Sequence, residues 1–166
     1  MQRYNRVEDV KKIEVVGIWP SKSGGVLVLP FDQKFEALNR EFFQWGQTKV
    51  GADQEDIRGL RIYMVRDIPA GTVGANEYHE VRREKIWTLR GKVRWTFEDL
   101  YGGVLEVVTK VGQGIEVPPY VMHSYTALEA GSDLFIVANG SFSKADLIEM
   151  PAFKALQSHV MGASEA

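Results

Sequence analysis

Glu77, His79, Glu84 and His123 are the residues of this chain whose types and spacing can do chemistry. The first stretch reads Gly71-x5-Glu77-x-His79-x4-Glu84-x6-Gly91 and the second Gly112-x5-Pro118-x4-His123. Residues two apart on a strand share a face, so Glu77 and His79 project together, and Glu84 joins them from the same strand or the next. His123 has to arrive from a distant strand. Two imidazoles and one or two carboxylates converging in a dry cavity suit Fe(II), Mn(II), Zn(II), Ni(II) or Cu(II), and donor type alone does not choose among them.

Something must hold these groups together, and the pattern around them is one of short strands between Gly and Pro punctuation. Strands are expected at 13–18, 25–29, 60–65, 74–81, 85–89, 93–98, 104–111, 114–117, 124–129 and 134–139, the first two as an edge pair across the turn cluster Pro20-Ser21-Lys22-Ser23-Gly24. Val93, Trp95 and Phe97 alternate with Lys92, Arg94, Thr96 and Glu98, the period of a sheet with one wet face. A hairpin turn is expected at 99–103. One helix is predicted over 33–45, N-capped by Asp32 and stopped by Gly46, followed by a polar loop at 46–56. A second helix is predicted over 146–159, with Pro151 near its first turn and a frayed tail after Gly162. The fold class is all-β, a double-sheet jelly roll with two helical additions.

A chain of 166 residues with 45% hydrophobic and 25% charged residues suits a single domain over 1–166: N-terminal strands, helix and loop to 57, barrel from 58 to 140, helix and tail beyond. The net charge of −2, with no Lys/Arg stripe among the aromatics, excludes broad nucleic-acid binding. The absence of cysteine removes disulfides, thiolate metal sites and a Cys nucleophile. The polar start and the lack of a long apolar run lead us to expect a cytoplasmic protein with no membrane partner. A homodimer is expected from strand edges left to pair.

The two glycine-bounded stretches resemble the paired motifs of the cupin superfamily, G-x5-H-x-H-x3/4-E-x6-G and G-x5-P-x-G-x2-H-x3-N. Gly71, His79, Glu84, Gly91, Gly112, Pro118 and His123 match; Glu77 replaces the first His, Tyr120 the glycine of the second motif, and Ala127 its asparagine. The resemblance implies a cupin double-stranded β-helix. Residues 58–153 resemble the thymidine-diphosphate-sugar 3,4-ketoisomerases, through Arg61-Ile62-Tyr63-Met64-Val65, Ala70-Gly71, Ala138-Asn139, Asp146-Leu147-Ile148 and Phe153. The run EYHEVRREKIWTLRGK is similar to the cupin domain of capsular-polysaccharide sugar epimerases. In the ketoisomerases a His pair acts as acid and base without a metal. His79 keeps one member, Glu77 stands in for the other, and a Glu buried in an apolar barrel can be raised toward the pKa such a base needs. Glu84 and Met122 depart from the Gln and Trp of that family and pull toward a metal cupin.

The catalytic candidates are therefore Glu77, His79 and His123, and the metal candidates Glu77, His79, Glu84 and His123. Arg61 and Tyr63 face one way on the strand leading into the first motif and are candidates to hold a substrate phosphate or sugar hydroxyl; Trp87 and Tyr125 are candidates to wall the pocket or stack on a base. Trp95 is read as core or dimer interface, His159 as surface, and Arg82 and Arg83 as solvated. Three functions stay open: an isomerase or epimerase of a nucleotide-linked keto-deoxy sugar, a metal-dependent oxygenase or isomerase of another small substrate, and a non-catalytic ligand-binding module.

Overall fold

A computed structural model of the chain describes residues 3–15, 17–29, 61–139 and 146–165. The helix expected at 33–45 and the loop expected at 46–56 lie outside the described residues. The strands are β1 (Lys11–Glu14), β2 (Gly17–Pro20), β3 (Val26–Leu29), β4 (Arg61–Ile68), β5 (Val73–Tyr78), β6 (Glu84–Arg90), β7 (Lys92–Glu98), β8 (Val104–Lys110), β9 (Gln113–Val117), β10 (Met122–Ala127), β11 (Ser132–Ala138) and β12 (Ile148–Glu149). A helix, Met150–Glu165, follows β12.

Two five-stranded sheets make the jelly roll, one in the order β1-β9-β6-β11-β4 and the other β12-β5-β10-β7-β8; β2 and β3 pair separately. Every pairing is antiparallel. The alternation along β7 builds the core as expected: Val93, Trp95 and Phe97 are buried, whereas Lys92, Arg94 and Thr96 turn outward. Ile86, Ile115, Leu134 and Ile136 of the opposite sheet pack against them. Full burial of each such side chain is worth about 1.5–3 kcal/mol.

Tight corners between the strands are where glycine is needed. Gly71, Gly91 and Gly112 all have positive φ, and a Cβ on Gly91 would also sit 2.8 Å from the Cα of Ser132. The expected turn at 99–103 is present, tied by Asp99, whose carboxylate accepts the N–H groups of Tyr101, Gly103 and Val7.

Several expected boundaries move. The strand expected at 13–18 is two strands: β1 joins the edge of a large sheet at β9, and only β2 forms the expected pair with β3. β5 ends at Tyr78 rather than running to 81, because the chain turns there before entering β6 at Glu84. β10 begins at Met122, which puts His123 on a strand. The last helix starts at Met150, since Ile148 and Glu149 instead extend a sheet by pairing with Tyr78 and Glu77. It runs to Glu165 rather than fraying after Gly162. Its inner face buries Phe153 against Tyr78, Leu100 and Met122. No helix among the described residues is long and apolar enough to cross a membrane.

Candidate active site

Glu77 and His123 face each other as cross-strand partners on β5 and β10. The register slips beside them: His123 pairs with Glu77 but Ser124 pairs with Ala75, leaving Asn76 as an extra residue. Ala75 and Asn76 carry φ of 62° and 66°, the left-handed conformation a β-bulge uses to re-aim a strand. The bulge places both Ala75 and Glu77 on the wall of one cleft between the sheets. Glu84 enters from the opposite sheet at the first residue of β6, and His79 lies one residue past the end of β5.

The four expected groups converge. His79 Nε2 lies 3.4 Å from Glu84 Oε1 and 3.9 Å from Glu77 Oε1, and His123 Nε2 lies 3.9 Å from Glu84 Oε2. One ligand atom each from Glu77, His79 and His123 falls within 4.8 Å of the others. Both rings have their tautomer set by the backbone. Nδ1 of His79 is 2.6 Å from the carbonyl oxygen of Asp146, and Nδ1 of His123 is 3.1 Å from that of Val121. A carbonyl only accepts, so each Nδ1 carries the hydrogen and each neutral ring keeps its lone pair on Nε2.

Burial acts on all four groups. It drives His79 well below the ordinary imidazole range, with help from the neighbouring His123 and Arg82, and it lowers His123 as well. Burial also raises Glu84, against the pull of Arg82 and Arg61. Glu77 is raised chiefly by burial, opposed by His123 and reinforced by Glu84.

Arg82 was expected in solvent and is instead 3% exposed. Its Nε stands 3.6 Å from Glu84 Oε1, and its Nη2 lies 3.3 Å from His79 Nδ1, which cannot accept from it while donating to Asp146. The guanidinium brings a positive charge into the site, and it acts on Glu84 more strongly than Arg61 does. Its local sequence does not mark it, because Arg82 lies in the turn between β5 and β6, where strand alternation does not apply. Asp146, expected as the first residue of a helix, is likewise drawn into the site.

The remaining candidates divide. Tyr63 and Tyr125 line the cleft with Glu77, Glu84 and His123, over walls of Val65, Ile86, Leu134 and Ile136. Arg61 lies over the Tyr63 ring, 4.2 Å from its centroid. Burial, then the charge of Glu84, pushes the Tyr63 hydroxyl up to about 12, so it remains a donor throughout the working range. Tyr125 crosses Gly74, where a Cβ would meet its ring at 2.2 Å. Trp87 is not brought to the cleft. The alternation that turns Ile86 inward sends Trp87 to the other face, beside Phe135. Trp95 is core and also cleft wall, and His159 is on the exposed side of the last helix.

The cleft measures about 150 Å³. A somewhat larger hollow, about 210 Å³, lies along β1, β8 and β9, but its wall offers no imidazole and none of these paired acids and bases.

No family model and no curated protein matches the sequence. Solved structures do match the fold. A 3,4-ketoisomerase from Helicobacter canadensis superimposes with a TM-score of 0.61 at 11% identity, over 90% of this chain and 98% of that one. What the two share is the fold, a jelly roll of two antiparallel sheets. A sugar 3,4-ketoisomerase from Thermoanaerobacterium thermosaccharolyticum in complex with TDP shares the cupin barrel at a TM-score of 0.61 and 16% identity, covering 92% of this chain and 98% of that one. A dTDP-4-dehydrorhamnose 3,5-epimerase from Bacillus anthracis, with TDP and PPi bound, does so at a TM-score of 0.56 and 12% identity, covering 86% and 81%. At the position where the cupin motif has glycine, Tyr120 holds a φ of 65°, so the backbone keeps the glycine conformation while the ring packs against Tyr4 and Tyr78.

Proposed function

We propose that this cupin is an isomerase or epimerase of a nucleotide-linked keto sugar, with Glu77 and His123 as its proton-transferring pair. The observation that carries the reading is the pair itself. The two residues are cross-strand partners on one cleft wall, where burial raises Glu77 and lowers His123. The substrate class is supported by the neighbouring structures of this fold, two of them holding TDP.

In this reading the Glu77 carboxylate takes the proton from the hydroxyl-bearing carbon beside the ketone. The electron pair moves onto the carbonyl oxygen, and Tyr63, still protonated, donates to that developing charge. Returning the proton to the former carbonyl carbon, while the hydroxyl proton passes between the two oxygens, moves the ketone by one position. The Nε2 lone pair of His123 takes that hydroxyl proton and hands it to the other oxygen, so the ring ends as neutral as it began. Arg61, at the start of β4, is assigned to the diphosphate. Glu77→Gln and His123→Asn are each expected to cut conversion of such a sugar by about 10²–10⁴-fold. Wild-type rates in either variant would contradict the assignment.

The two tautomers favour a second reading. Each imidazole presents an Nε2 lone pair and gives its Nδ1–H to a backbone carbonyl, the arrangement metal-ligating histidines use. With the Glu77 carboxylate they fit a divalent cation. His79, His123 and Glu77 would hold it, with Glu84 engaged by Arg82, and bound there it would supply Lewis-acid polarisation of a carbonyl. Metal analysis of protein purified without chelator separates the readings. Proton transfer alone expects no stoichiometric transition metal; one equivalent, lost in His79→Ala and His123→Ala, favours the metal.

A further inference from the structure

Asp146 lies far along the chain from the first motif, yet it closes onto it with almost every acceptor it owns. Its Oδ1 accepts the backbone N–H of Glu80 at 2.7 Å and of Val81 at 3.2 Å, and its Oδ2 accepts that of Arg82 at 3.1 Å. Its main-chain oxygen accepts Nδ1–H of His79 at 2.6 Å. The residue is 4% exposed, so water does not compete for these bonds. Three successive N–H groups curled around one carboxylate fix the path of the turn that joins β5 to β6. That path decides where the two side chains at its ends go.

We propose that Asp146 is the positioning residue of this site, fixing the ring and tautomer of His79 and shaping the turn that carries Arg82 inward against Glu84. The same residue that folds the turn supplies the acceptor for His79, so the two effects are coupled. With the carboxylate gone, the N–H groups at 80, 81 and 82 lose their acceptor, the turn opens toward water, and the main-chain oxygen at 146 moves off the ring. The ring is then free to place its hydrogen on Nε2, which would set a donor where a lone pair now faces Glu77 and Glu84. His123 takes its tautomer from Val121 on its own side of the site and does not depend on Asp146.

This assignment rests on the proposed site including His79, which joins it beside Glu77 and Glu84, but it needs no particular substrate. The test is ¹⁵N–¹H long-range correlation of histidine-labelled protein, which reads the tautomer of each ring. Wild type is expected to show the Nδ1–H form at both His79 and His123. In Asp146→Ala, His79 is expected to become a mixture of tautomers with a fast-exchanging ring N–H while His123 stays as it was; Asp146→Asn, keeping one acceptor oxygen, falls between. Should the alanine variant not fold, the asparagine variant carries the test on the same terms. With a keto sugar that turns over, kcat is expected to drop by about 10–100-fold with KM nearly unchanged. An unaltered His79 tautomer in a folded but less stable Asp146 variant would overturn the proposal, leaving Asp146 as a prop of the fold. Failure of every keto sugar to react would sink the isomerase reading and leave the tautomer result standing.

Discussion

Burial holds both imidazoles of the site neutral, and this fixes the sign of their response to acid. An imidazole whose folded pKa lies beneath the ordinary 6.5 lets the unfolded chain bind more protons once the pH falls under that value. The stability associated with the neutral pair is therefore complete above about 6.5 and is lost as pH drops below it. Glu77 and Glu84 act in the other direction, because a carboxyl raised above 4.5 takes its proton in the folded state first and adds stability as pH falls toward that value. Removing the imidazoles isolates the first effect. Thermal melts between pH 7.5 and 5 are expected to fall more steeply for wild type than for a His79→Asn, His123→Asn double variant; parallel curves would contradict the burial of neutral rings. At this scale the sequence identified all four converging groups, since Glu77, His79 and Glu84 sit between Gly71 and Gly91 and His123 follows Gly112 and Pro118 at motif spacing. It did not give Arg82. A pair of adjacent arginines reads as solvated, and only the turn folded around Asp146 brings one of them inside.

β5 is the element whose shape matters most. Its bulge at Ala75 and Asn76 lets Glu77 reach the cleft wall, at the cost of two non-glycine residues in the left-handed region. Such a conformation costs roughly 1–2 kcal/mol for an L-residue, more than the roughly 0.5–1 kcal/mol a glycine loses in chain entropy. Ala75→Gly is accordingly expected to hold or raise Tm, contrary to the usual effect of glycine within a strand. A loss of more than about 1 kcal/mol in chemical denaturation would show that the bulge is unstrained. The strands themselves were largely readable, because period-2 alternation in β7 and the glycine corners at 71, 91 and 112 are local signals. The bulge, the division of 13–18 between two sheets and the pairing of Ile148 and Glu149 with β5 were not. Each depends on a partner strand distant in sequence, which local periodicity does not record.

Across the whole molecule, the two sheets leave a cleft of about 150 Å³ with Glu77, Glu84 and His123 at one part of its wall and aliphatic and aromatic side chains over the rest. Pockets that bury a drug-sized ligand run to roughly 300–1,000 Å³, so for the proposed substrate this cleft has room for the reacting sugar alone, with the nucleotide outside. In the proposed reaction the keto carbon and its neighbour would lie beside Glu77 and His123, as the proton transfer requires. The most direct measurement is solvent exchange. With a thymidine-diphosphate 4-keto-6-deoxy sugar in deuterated buffer, proton NMR is expected to show deuterium entering the carbon next to the ketone as product accumulates, with the signal abolished in Glu77→Gln. Turnover without deuterium entry, or no exchange with any nucleotide-linked keto sugar, would contradict the account.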